Sequence, residues 1–80
     1  MQFVLDQLKQ NKIKGCEFDK NEQTVNFTLS GKNVLIYKEE DKYNIHYGSE
    51  KFLELEKDKF KSKLKEIKTK DKENNKNIDL

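Results

Sequence analysis

Alanine, arginine, proline and tryptophan are absent from this 80-residue chain, and cysteine and histidine occur once each. Each absence removes a class of chemistry. Without arginine there is no planar fork to grip a phosphate or a guanine edge with two parallel hydrogen bonds. A single cysteine, Cys16, excludes an intramolecular disulfide, and one cysteine with one histidine falls short of the soft ligand set of a zinc site. The three glycines, Gly15, Gly31 and Gly48, are scattered, so no glycine-rich phosphate loop is present. No apolar run approaches the roughly 20 residues needed to span a bilayer. The opening residues, Met1 to Leu8, have neither a basic start nor an apolar stretch of signal-peptide length, so a cytoplasmic location is expected. Missing alanine and arginine beside abundant lysine, asparagine and glutamate is the composition of an AT-rich coding sequence. It suggests a phage or mobile element of an AT-rich bacterium as the source.

Leu, Ile, Val and Phe together number 21 of 80 residues, above the roughly one-fifth level that marks intrinsic disorder. A folded domain is therefore expected, with a thin core, because a chain of this size buries only about 60% of its unfolded surface. Dimerisation would add burial that the monomer lacks.

Met1, Val4, Leu5 and Leu8 recur at helical spacing and predict a short amphipathic helix, closing between Asn11 and Gly15. From Cys16 the period becomes two. Residues 16–19, 24–29, 34–37 and 43–47 read as strands separated by polar turns, and short connections between neighbours make them a four-stranded antiparallel meander. Ser49 then reads as the N-cap of a long helix. Its apolar stripe is Leu53, Phe60, Leu64 and Ile67, widened by Phe52 and Leu55, and its charge runs from Glu50, Glu54, Glu56 and Asp58 to the later lysines. The fold class is thus α+β: an N-terminal helix, a four-stranded meander and a long C-terminal helix on one face. Residues 1–68 form one domain, and residues 69–80, apolar only at Ile78 and Leu80, form a polar tail expected to fray. Helix, antiparallel strands and helix is also the order of double-stranded RNA-binding domains. The segment 50–55 lacks the paired-lysine, alanine-rich helix start of that family, and the chain is not assigned to it.

No convergent catalytic set emerges, and no enzyme activity or cofactor is expected. Cys16 and His46, the one possible nucleophile and base, alternate onto opposite faces of the sheet. The acidic turn Glu39, Glu40, Asp41 lacks the spaced ligands of a calcium loop. Two surfaces remain. If Phe18, Val25, Phe27, Val34, Ile36, Tyr43 and Ile45 face the helices, the other sheet face shows Leu35 and Tyr37 inside a polar, lysine-free rim that includes Asn44 and His46. An apolar anchor within a polar rim is the composition of a protein-binding patch. The fourth strand, residues 43–47, has no proline or lysine and is expected to be a free edge able to pair with a partner or with a second copy. The other surface is the final helix. Nine lysines against four carboxylates in residues 57–76 give that segment +5, leaving −3 for the rest of a chain whose net charge is +2. Lys57, Lys61, Lys65 and Lys68 are its candidate phosphate contacts. The leading expectation is a non-enzymatic protein-binding module, a small regulator or inhibitor, and the alternative is a nucleic-acid-binding accessory protein.

Overall fold

A computed structural model of the chain describes the backbone of residues 1–79 and the side chains of residues 1–69. Helix α1 (Gln2–Gln10) leads into five strands, β1 (Glu17–Asp19), β2 (Thr24–Leu29), β3 (Lys32–Glu39), β4 (Lys42–Tyr47) and β5 (Glu50–Leu55), followed by helix α2 (Lys57–Asp79). The strands form one antiparallel meander in the order β1-β2-β3-β4-β5, so β3 is central and β1 and β5 are the edges. The fold is α+β, with five strands in place of the expected four. Among the described residues no helix is long and apolar enough to cross a membrane.

Local chemistry closes each connection. Two-residue loops at 30–31, 40–41 and 48–49 follow from the pairs Leu29 with Lys32, Glu39 with Lys42 and Tyr47 with Glu50. Ser30 and Gly31 both have positive φ, 52° and 76°, the combination that matches a hairpin turn to the right-handed twist of its strands. Between β1 and β2 the Asp19 carboxylate accepts from the amides of Asn21 and Glu22 at 2.9 and 3.1 Å, a side-chain turn of the kind short acidic residues favour. Helix α1 closes at Asn11, inside the expected window, and the left-handed residue that follows is Lys12, where glycine geometry points to Gly15. Lys12 takes φ 56°, its amide donates to the Lys9 carbonyl at 3.0 Å, and the Ile13 amide donates to the Leu8 carbonyl at 3.0 Å. These two bonds and the buried pair Leu8 and Ile13 make a Schellman stop.

Both helices cover one face of the sheet. Val25 and Phe27 from β2, Val34 and Ile36 from β3, and Tyr43, Ile45 and Tyr47 from β4 form one buried cluster with Val4 and Leu8 of α1 and Phe60, Leu64 and Ile67 of α2. Phe3, Tyr43 and Phe60 meet at ring-centroid distances of 5.2 to 5.7 Å and join α1, the sheet and α2. The last three core residues of α2 are fully or almost fully buried. At roughly 1.5–3 kcal/mol apiece they anchor that helix.

Three expectations change at β5. The segment 50–55 is a strand, so the final helix begins at Lys57 and Ser49 lies in a hairpin loop, without a capping role. Of the early acids only Asp58 remains in the first turn of α2. The physical reason is a bulge: Tyr43 pairs with Leu55 and Ile45 with Phe52, so Leu53 and Glu54 together stand opposite Asn44. Glu54 adopts φ 56° there. As a result β4 is paired on both sides, and association through a free fourth-strand edge has no edge to use. Where a frayed tail is expected from residue 69, the backbone continues as α2 to Asp79, and any docking of Ile78 and Leu80 concerns side chains outside the described residues.

Candidate functional site

Opposite the helices the sheet is uncovered, and its registers set side chains in two rows across all five strands. One row reads Glu17, Asn26, Leu35, His46, Lys51 from β1 to β5. The next reads Asp19, Thr24, Tyr37, Asn44, and ends at Leu53 on the bulge. Alternation explains the rows, since residues two apart on a strand share a face. Leu35, Tyr37 and His46 are half-buried by their neighbours, while Leu53 is 51% exposed.

Within this face Tyr37 and His46 form a fixed pair. The Tyr37 hydroxyl and His46 Nε2 are 3.1 Å apart, and the rings meet edge to face at 5.3 Å and 72°. With the imidazole proton on Nδ1, the hydroxyl donates to Nε2. Asn44 behaves differently from the expectation that it contacts a partner. It is buried, and its side-chain oxygen accepts from the Glu54 amide at 2.9 Å, which is the donor that the bulge takes out of the strand ladder. Asn44 is committed to holding β5. Of the four residues expected to bind a partner, the fold brings Leu35, Tyr37 and His46 together on open surface and withdraws Asn44.

Two members of the face escaped the sequence reading. Lys51, opposite His46, ends the notion of a lysine-free rim, and Leu53 adds an exposed apolar side chain at the β5 edge. Only the period of β5 could have revealed them, and the bulge disguises it. Cys16 packs against the core on the helix side, where burial pushes its thiol above the usual range. It and His46 therefore lie on different sides of the sheet. Among the described residues no group of three or more His, Cys, Asp or Glu side chains is placed to hold a metal ion.

Four of the described α2 lysines line two grooves. Lys65 and Lys68 line one of about 490 Å³ with Thr69 and with Gln10, Asn11 and Lys12 from the end of α1. Lys57 and Lys61 hold their ammonium groups over the Phe3 ring, 5.4 and 5.8 Å from its centre. On the other flank, Lys59 and Lys63 share a groove with Leu55, Asp58, Ser62 and Glu66, and Lys63 pairs with Glu66 at 3.1 Å. Lys42 pairs with Glu56 at 3.0 Å, which holds the Glu56 carboxyl below its usual range.

No family model, curated protein or solved structure matches this chain.

Proposed function

We propose that the chain is a non-enzymatic protein-binding module, in type a small regulator or inhibitor, whose docking surface is the uncovered face of the sheet. It acts by occupying a surface, with Leu35 and Tyr37 as the apolar centre and His46 fixed beside them. The observation that carries this reading is the row Glu17, Asn26, Leu35, His46, Lys51, which is acidic at one edge, apolar on the central strand and basic at the other edge.

A second copy of the chain fits such a row. Rotation by a half-turn about an axis along β3 lays β1 over the partner's β5, so Glu17 meets the lysine end and Leu35 meets its own counterpart, the self-complementarity that an isologous dimer requires. Stacked sheets cross at about 30°, a displacement that the long Lys51 side chain can follow. The face is small. Five strands about 4.8 Å apart and roughly 17–20 Å long offer about 350–450 Å² per copy, below the roughly 800 Å² per partner of a stable interface. Weak, concentration-dependent association is the expected behaviour.

Charge reversal tests it by sedimentation velocity over a concentration series. Lys51→Glu and Glu17→Lys each place like charges together and should abolish association, and the double swap should restore it. Tyr37→Ala should weaken association in a still-folded protein. If the parent stays monomeric at every concentration, or if the double swap fails to rescue, the second copy is not the occupant of this face.

A further inference from the structure

A separate surface, the lysine flank of α2 beside the end of α1, carries an inference that does not depend on the sheet face. At 100° per residue, positions 57, 61, 65 and 68 fall within an arc of about 80° and span about 16 Å along the axis. The groove at the far end of this stripe contains three lysines, Lys12, Lys65 and Lys68, and no carboxylate, and its remaining lining consists of hydrogen-bonding side chains, Gln10, Asn11 and Thr69. The mixed groove on the opposite flank holds both Asp58 and Glu66. Among the described residues, charge on α2 is therefore segregated, and none of the five lysines, Lys12 included, forms an ion pair there.

The end of a helix ordinarily presents bare carbonyls that repel an anion. Here the carbonyls of Gln7, Leu8 and Lys9 are occupied. The Gln7 carbonyl accepts from both the amide and the side-chain nitrogen of Asn11 at 3.1 and 2.8 Å, and the Leu8 and Lys9 carbonyls accept from Ile13 and Lys12. The same bonds fix the left-handed turn that carries Lys12 to the groove.

We infer that Lys12, Lys57, Lys61, Lys65 and Lys68 form a binding surface for the phosphodiester backbone of nucleic acid, without base readout. Lysine is a point-charge phosphate ligand and suits sequence-independent contact. A row of lysines one helical turn apart, without a carboxylate partner among the described residues, suits a polymer of phosphates better than one small anion.

Five phosphate contacts predict a slope of log K against log salt of about −4.5 for duplex DNA, or about −3.5 for a single strand. Fluorescence anisotropy would follow the full chain on a short random-sequence duplex, on its isolated strand and on poly-glutamate, across about 50 to 200 mM salt. The relative affinity for the duplex and the strand at one salt concentration shows which form is preferred. Lys12→Gly should reduce the duplex slope by about 0.9 without lowering the melting temperature, because the position already has the backbone geometry that glycine favours. Changing Lys57, Lys61, Lys65 and Lys68 together to Gln should bring the slope close to −1, whereas Lys59→Gln with Lys63→Gln should leave it unchanged. The inference is overturned if no saturable binding appears, if the opposite-flank pair lowers the slope as much as the stripe does, or if poly-glutamate binds as tightly as the duplex.

Discussion

Single residues here are defined by what withdraws them from solvent. Cys16 is half-buried, with its thiol 3.9 Å from the Ile13 carbonyl, and burial raises its pKa. The folded state thus favours the neutral thiol, and the sign of the linkage follows. Its contribution is complete below the ordinary thiol value of about 8.5 and is lost as pH rises through the higher folded value, because the unfolded chain ionises first. Cys16→Ala should melt somewhat lower at neutral pH, by about 1 kcal/mol or less, and the gap between variant and parent should narrow as pH climbs toward 10. Thermal melts of both proteins across that range check this, and a gap that does not change with pH would mean the thiol is not shielded. Asn44 shows how far a residue's role was legible in sequence. Period two assigns its side chain to the face opposite the helices, and the structure agrees, but its burial depends on a bulge in another strand. Lys12 was invisible as a site residue for a similar reason. Nothing local announces that a lysine will close α1 and then face α2.

Elements were readable where their hydrophobic period was unbroken. Val25, Phe27 and Leu29 alternate cleanly with Asn26 and Thr28, and β2 and β4 appear where alternation puts them. Strand β3, read from the continuous apolar run 34–37 as covered on both faces, extends over Lys32–Glu39 and leaves Leu35 and Tyr37 on the open face. In β5 the two core-facing residues, Phe52 and Leu55, are three apart in sequence because one extra residue is accommodated between them. That spacing imitates a helix, and with Phe60, Leu64 and Ile67 following it merges strand and helix into one apparent stripe. Reading residues 50–55 as helix makes β4 an edge and leaves Lys51 off the open face, so both errors have one source. The extra amide of the bulge is met by one side chain, Asn44, which makes that contact testable. Asn44→Ala removes the acceptor for the Glu54 amide and should cost about 1–2 kcal/mol. Glu54→Gly relieves a left-handed residue and should be neutral or stabilising by up to about 1 kcal/mol, the relief being partly offset by greater freedom in the unfolded chain. Urea midpoints for the two variants should therefore move in opposite directions or differ clearly in size. Equal destabilisation would show that the side chain of Glu54, and not its backbone, holds β5.

On the scale of the whole molecule, a thin core leaves little stability to spare, and its distribution along the chain decides what can be removed. Every buried hydrophobic residue among those described lies between Val4 and Ile67, and α2 is anchored by Phe60, Leu64 and Ile67. Residues 70–80 carry three lysines and three acidic side chains, so deleting them leaves the side-chain charge balance unchanged. The lysine stripe ends at Lys68 and the open sheet face ends at Leu53, and neither proposed surface needs the deleted segment. A chain of residues 1–69 should therefore melt cooperatively within a few degrees of the parent, since 1 kcal/mol corresponds to about 4–8 °C in a domain of this size. It should also keep the same salt slope on duplex DNA and the same self-association. Differential scanning calorimetry with the anisotropy titration separates the possibilities. A lost transition would mean that Ile78 or Leu80 completes the core. An unchanged melt with a shallower slope would move the phosphate contacts to Lys70, Lys72 and Lys76, where binding would belong to the tail and the groove beside α1 would have no part in it.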